Sequence, residues 1–284
     1  MITNQQLSNY QKDGFLVLSE YASSTQIAAL KKEATHIVND FDPSNLSVFS
    51  TEQQIDCADQ YFLESGDKIR CFFEEHALDK QLQLVLPKEL SINKIGHALH
   101  ELNTVFEAFS YQQKLYDLAL KIGYRHPAIL QSMYICKQPN IGGVIHPHQD
   151  NTFLYTDPPS CTAFWIALED ATIKNACLWG IPGSHRVYSN ERRYLRKKGS
   201  FETYFKGEWA SWDTDSMIPI EVKAGDMVVF DGNFVHGSSE NTSKKSRHAY
   251  VMHLIEFQSI YPNDNWLQRG AELPLIPMHQ KQLF

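Results

Sequence analysis

No apolar run in this 284-residue chain approaches the roughly 18 residues that a bilayer-crossing helix needs. Positive charge is also scarce: 26 Lys and Arg against 33 Asp and Glu give a formal net charge of -7. A general nucleic-acid binder presents clustered cations on a basic face, so that class is set aside. Five cysteines (Cys57, Cys71, Cys136, Cys161, Cys177) are odd in number and never form CxxC. With neither a disulfide framework nor a zinc-thiolate spacing, a reducing compartment is the easier reading. Met1 to Gln6 lack the charged and apolar regions of a secretory leader and the Arg-rich character of a transit peptide, and Gln282-Leu283-Phe284 is not a Ser-Lys-Leu address. The expected location is therefore the cytosol.

What is present is ordinary globular composition, 43% hydrophobic and 12% aromatic. The length suits one domain, since all-β barrels and sandwiches often exceed 200 residues as a unit. We expect a single domain over 1–284, monomeric, with a helical and short-strand part over about 1–125 and a β core over about 126–260. The first part reads as a helix over 4–13 stopped by Gly14, a strand over 15–18 and a longer helix from about Ser24. A polar loop over 40–60 follows, then strands at 61–63 and 69–73 joined through Gly66, and helices over 92–107 and 110–122. After Pro127 the texture changes. Short strands at 129–136, 162–168, 177–181, 218–222, 227–230 and 247–257 alternate with turn signals such as Pro182-Gly183-Ser184 and Asp231-Gly232-Asn233, a pattern of sandwiches and barrels.

Within that region stands His146-Pro147-His148-Gln149-Asp150. In a strand, residues two apart point to one face, so His148 and Asp150 lie roughly 7 Å apart at the backbone and can grip one ion. A third ligand must come from elsewhere, and His236 is the best candidate: it follows the apolar run Val228-Val229-Phe230 and the turn Asp231-Gly232-Asn233, with Gly237 beside it. Two His and one carboxylate leave open positions on an octahedral ion, which suits a non-haem Fe(II) oxygenase. Any single one of the 12 histidines is more often a surface or hydrogen-bonded core residue than a ligand, and the combination carries the argument. His146 shares the face of His148 and is the weaker candidate, better placed as a neighbour or on the substrate side. His185 reads as a turn residue near the site, and His248 and His253 as ordinary strand positions.

The motifs Tyr10-Gln11-Lys12-Asp13-Gly14-Phe15, His148-Gln149-Asp150, Trp165 to Ala171, Trp179 to His185, and Gly225-Asp226 leading to His236 and Arg247 together resemble the phytanoyl-CoA dioxygenases, most closely the short branch called phytanoyl-CoA dioxygenase domain-containing proteins. The resemblance implies a mainly β fold with flanking helices, a double-stranded β-helix of the jelly-roll or cupin type. It implies Fe(II) held by His148, Asp150 and His236, and 2-oxoglutarate as co-substrate, its distal carboxylate on Arg247. A guanidinium offers two parallel N–H donors to a carboxylate and stays charged at cellular pH. It further places Lys94, Met133, Trp165 and Ser238 around the co-substrate; on residue type alone Lys94 is a solvated lysine and Met133 and Trp165 are core.

The implied reaction uses dioxygen to turn 2-oxoglutarate into succinate and CO₂ while hydroxylating a small organic substrate. A sensor or scaffold that binds metal and 2-oxoglutarate without turnover is the alternative. A hydrolytic zinc enzyme ranks third, because no residue beside the three ligands reads as a dedicated base. For the substrate, an acyl-CoA or another organic acid is one option, with Arg192, Arg193, Arg196, Lys197 and Lys198 as the landing site for its phosphates; the same cluster also reads as a solvated loop.

Overall fold

The computed structural model describes residues 2–43, 47–49, 59–81, 83–188, 191–208 and 210–281. Cys57 and residues 44–46 and 50–58 of the expected polar loop lie outside the described residues. Helix α1 (Asn4–Asp13) opens on a reciprocal capping box between Thr3 and Gln6. It stops at Gly14, whose φ of 82° is the left-handed turn that favours glycine. Strand β1 (Phe15–Leu18) follows, then α2 (Ser24–Asp40), capped in the same way by Ser23 and Gln26. Its Leu30, Ala34 and Val38 fall four apart and form the buried face.

The next segment departs from the sequence expectation twice. After β2 (Val48–Phe49), residues 61–63 belong to α3 (Gln60–Leu63), a single turn capped by Asp59, and not to a strand. Strand β3 (Ile69–Glu74) therefore has no hairpin partner there and pairs instead with β4 (Ile92–His97). The three-residue spacing of Ile92 and Ile95 suggests a helix, yet all six residues of β4 are buried. A strand covered on both faces lacks the alternation by which half-exposed strands are read. Helices resume with α4 (Leu99–Leu102), α5 (Thr104–Ser110) and α6 (Gln113–Ile122), the last burying Leu115, Leu118 and Ala119.

The remaining elements are β5 (Pro127–Ile135), β6 (Ile145–His148), β7 (Thr162–Ala167), β8 (Leu178–Gly180), α7 (Ser184–Val187), β9 (Arg193–Arg196), β10 (Thr203–Lys206), β11 (Ile218–Ile220), β12 (Met227–Asp231), β13 (His236–Ser238), β14 (Ala249–Glu256) and α8 (Met278–Lys281). Among the described residues an eight-stranded sheet runs β1-β12-β7-β14-β5-β4-β3-β2 and a four-stranded sheet runs β11-β8-β13-β6. Along β5 to β8, and again along β11 to β14, the chain alternates between the two sheets. That winding makes a double-stranded β-helix, the expected fold class.

Side-chain alternation explains the layering. Ala163, Trp165, Val228, Phe230, Ala249 and Val251 of the large sheet share one core with Leu178, Ile220 and Phe234 from the small-sheet side. Their neighbours Phe164, Ile166, Val229, Tyr250 and Met252 face the other way and pack on Leu30, Phe106, Phe109 and Leu115 of the outer helices. Each buried Val, Leu, Ile, Phe or Met side chain among them contributes about 1.5–3 kcal/mol by leaving water. A third cluster is built on Phe62, Phe72, Tyr194 and Trp266.

Candidate active site

Residues His236 and His148 are direct partners in the β13–β6 ladder, and their rings stand 4.3 Å apart. β6 ends at His148; Gln149 stays extended, and Asp150 begins one turn of 3-10 helix over Asp150–Thr152. This brings the Asp150 Oδ1 to 3.6 Å from His148 Nε2 and 3.8 Å from His236 Nε2. One ligand atom from each residue lies within 4.8 Å of the others, a spacing that could hold a metal ion. Gly237 is required beside His236, because a Cβ there would sit 2.7 Å from the Ile145 carbonyl oxygen on the partner strand. The Asp150 side is pinned from the loop before β13: Gln149 Nε2 donates to the Asn233 carbonyl at 2.6 Å and Asn151 Nδ2 to Asn233 Oδ1 at 2.8 Å.

Both imidazoles have their tautomer set by backbone. His148 Nδ1–H donates to the His146 carbonyl at 2.9 Å, and His236 Nδ1–H to the Phe234 carbonyl at 3.0 Å. Each Nε2 is thereby left as a lone pair facing Asp150, the arrangement that orients a histidine for a metal. Burial, reinforced by His148, lowers the His236 pKa to about 4. Burial opposes ionisation of Asp150, but the imidazoles of His253 and His236 outweigh it and hold the carboxyl well below its usual range. The other oxygen, Oδ2, accepts from His253 Nε2 at 3.1 Å, and His253 Nδ1 lies 3.2 Å from Gln131 Nε2.

Strand β14 thus supplies a residue that sequence reasoning passed over. His253 is not an ordinary strand position: it lies on the inward-facing row with Ala249 and Val251 and braces the carboxylate. Its period-2 relation to those residues was the available signal. His248, one residue before β14, faces the helices, where Nδ1 meets the Tyr134 hydroxyl at 2.7 Å. His185 is not at the site either; it lies in α7 with Nε2 3.1 Å from the Gln11 carbonyl.

Arg247 is 2% exposed, with its guanidinium carbon 5.3 Å above the Trp165 ring and no hydrogen-bond partner for Nε or Nη1. Burial lowers its pKa to about 10, which leaves it charged at neutral pH. A buried guanidinium with idle donors is a fit for a carboxylate ligand. Lys137, which no motif marks, stands nearby: buried, it reaches Ser238 Oγ at 3.0 Å and the Gly143 carbonyl. Burial first, and then the Arg247 charge, lower its pKa to about 7. Ser238 therefore has a buried amine as its neighbour.

Against His148 and Asp150, though not reaching His236, opens a cavity of about 360 Å³ lined also by His146, Lys94 and Met133 and by a wall of aromatic rings including Phe62, Tyr194 and Trp266. Lys94 is no solvated lysine: it is buried, with Nζ 3.2 Å from the centre of the Phe49 ring. Arg247, Trp165 and Ser238 do not line this cavity. The 192–198 cluster lies partly on the β9–β10 hairpin, where Arg193 pairs with Asp264 at 2.6 Å and Lys197 with Glu202 at 2.7 Å.

The family profile for phytanoyl-CoA dioxygenase (PhyH) matches residues 10–249. The chain belongs to the phytanoyl-CoA dioxygenase family. A phytanoyl-CoA dioxygenase of Arabidopsis thaliana is 47% identical over 274 residues, spanning 96% of this chain and 95% of its own. The phytanoyl-CoA dioxygenase domain-containing protein 1 of Bos taurus is 42% identical over 287 residues, spanning 98% and 99%. Among solved structures, EctD from S. alaskensis with 2-oxoglutarate and 5-hydroxyectoine superposes with a TM-score of 0.65 at 19% identity, over 96% of this chain and 86% of that one. A second EctD structure, with bound Fe, gives 0.63 at 20% identity, over 95% and 82%. That likeness shows the fold: phytanoyl-CoA dioxygenase family and double-stranded β-helix coincide in this chain.

Proposed function

We propose that the chain is an Fe(II)- and 2-oxoglutarate-dependent dioxygenase that decarboxylates 2-oxoglutarate to succinate and CO₂ and hydroxylates a small organic substrate. The observation that carries the reading is the pairing of an open two-His, one-carboxylate face with a buried guanidinium whose donors have no partner. The donor set fits Fe(II) with coordination positions to spare. Family membership and the fold neighbour that holds Fe and 2-oxoglutarate support it. When bound, Fe(II) supplies the activation of dioxygen and the oxidative cleavage of the co-substrate.

The residues of the chain then divide as follows. His148 and His236 offer Nε2 lone pairs fixed by their Nδ1 bonds, and Asp150 offers Oδ1 while His253 holds Oδ2. Arg247 takes the distal carboxylate of 2-oxoglutarate, with Trp165 beneath it and Lys94, Met133 and Ser238 completing the co-substrate site. The aromatic wall excludes water from the reacting face. Because Asp150 is a carboxylate, no ligand position is left for halide, and hydroxylation is favoured over halogenation. Four cysteines, Cys71, Cys136, Cys161 and Cys177, are all unpaired, which supports a reducing compartment, and we place the protein in the cytosol as a monomer. Among the described residues no helix is long and apolar enough to cross a membrane.

Succinate formation from 2-oxoglutarate with Fe(II) tests the proposal. Wild type should exceed the metal-only background, and Asp150→Ala should fall to it. Equal activity in both would sink the assignment, and binding of 2-oxoglutarate with no decarboxylation in wild type would leave a sensor or scaffold.

A further inference from the structure

Resting on the function proposed above, we propose that Lys137 is a positioning residue for 2-oxoglutarate: it holds the Ser238 oxygen, so that the Ser238 proton is free for the distal carboxylate that Arg247 receives. Lys137 follows β5 by two residues, with a φ of 34°, a left-handed conformation that few residues other than glycine adopt. Two bonds to its carbonyl hold the turn, one from Arg247 N at 3.2 Å and one from Asn241 Nδ2 at 3.1 Å. The first continues the β5–β14 ladder past Ile135 and Ala249, so Lys137 and Arg247 stand across from each other. Both side chains enter the barrel: Arg247 lies over Trp165 of the inner core, and Lys137 reaches Ser238 of β13.

Two positive groups opposite each other inside a barrel repel. Burial and Arg247 both work against a charge on Lys137, while Glu74 at the end of β3 and Glu240 after β13 favour it less strongly. A carboxylate that lands on Arg247 adds a further negative charge and favours the ammonium. The geometry of the cluster thus leaves room in its charge balance for an anion, and the ligand proposed for Arg247 is one.

The amine has two partners among the described residues, the Gly143 carbonyl and Ser238 Oγ at 3.0 Å. An ammonium carries N–H donors and no lone pair, so Ser238 Oγ must accept from it. The serine then has its own proton left to give, and no oxygen among the described residues takes it. Ser238 lies two residues from the metal ligand His236 on β13, and so on the same face of the strand. Its proton is therefore spent inside the site. Lys137 acts on the co-substrate through this hydroxyl, as Arg247 acts on it directly.

The test compares 2-oxoglutarate with 2-oxopentanoate, the same molecule with a methyl group in place of the distal carboxylate. Both are titrated by calorimetry, without oxygen, into the Fe(II)-loaded protein. In Lys137→Met the affinity for 2-oxoglutarate should fall about tenfold, the scale of one hydrogen bond to a charged group, while the affinities for 2-oxopentanoate and Fe(II) stay within about twofold. Ser238→Ala should weaken 2-oxoglutarate with the same selectivity. The double variant should lose no more than Lys137→Met alone, because the two residues act in series. Should Lys137→Met fail to fold, Lys137→Gln, shorter and uncharged, carries the comparison. Equal losses for both 2-oxo acids would make Lys137 a structural tie between Gly143 and β13 and overturn the inference; no loss, or losses that multiply in the double variant, would do the same. Decarboxylation is scored separately. A preference for 2-oxoglutarate that depends on Lys137, without succinate, counts against the dioxygenase reading and leaves this inference standing. Succinate formation with no selective effect of Lys137 does the reverse, and no binding of 2-oxoglutarate to wild type overturns both.

Discussion

Arg247 shows how a single side chain can be unfavourable to the fold and useful to the site. At 2% exposure, with Nε and Nη1 lacking partners, it makes no direct ion pair among the described residues, and only the more distant Glu74 and Glu169 favour its charge. A carboxylate arriving there would meet donors already desolvated and oriented over Trp165. Arg247→Met should therefore separate two readouts. Affinity for 2-oxoglutarate should fall by about 30-fold or more, because breaking a buried charge pair costs on the order of 2–5 kcal/mol. The unfolding midpoint of the ligand-free protein should hold or rise, since a buried unpaired charge has gone. Calorimetry with 2-oxoglutarate and a thermal melt check both, and an unchanged Kd would remove Arg247 from the site. His148, Asp150 and His236 stood out in the sequence by residue type and spacing, and Arg247 only through the family resemblance. His253, Gln131 and Lys137 did not, because their meaning lies in partners that only the fold brings close: His253 and Asp150 are separated by 103 positions.

The elements around the site depend on strands passing without side chains. β13 runs between β6 and β8, and Gly180 of β8 stands opposite His236 in register. A Cβ at Gly180 would lie 2.2 Å from the ring of Phe234, which is fully buried and whose carbonyl holds His236 Nδ1. Gly180→Ala should therefore lower stability by about 1–3 kcal/mol, the usual cost of overpacking, and weaken metal binding as well. Gly143→Ala is the control: its nearest contact would be an ordinary 3.5 Å, to Glu74 Oε2, so its cost should stay within about 0.5 kcal/mol. Urea unfolding and a metal titration on both variants settle it, and equal effects would refute the steric argument. Legibility at this scale followed burial. The barrel strands β5, β7, β12 and β14 could be read from their runs and turns, whereas β4, covered on both faces, imitated a helix. The single turn of α3 carried too few residues to show a period at all.

Across the whole molecule the helices and the barrel are joined by histidines that folding keeps neutral. His97 and His100 are fully buried, each with its pKa well below normal, chiefly through desolvation. His248 sits where Tyr134 and the Glu169 carboxylate meet it, and burial lowers its pKa to about 4 in spite of that carboxylate. An unfolded histidine titrates near 6.5. Between that pH and about 4 the unfolded chain binds a proton at His248 that the folded chain does not, so this contribution is complete above pH 6.5 and is lost progressively as the pH falls. Each such site steepens the decline by at most about 1.4 kcal/mol per pH unit. Glu74 and Glu101, whose pKa values burial raises, act with the opposite sign and make the absolute slope a poor readout. The difference between two proteins cancels them. Urea melts at pH 7.5, 6.0 and 5.0 should therefore show His248→Gln losing stability less steeply than wild type below pH 6.5, with no divergence above it. Parallel lines through the whole range would mean that His248 accepts its proton in the folded protein as readily as in the unfolded chain.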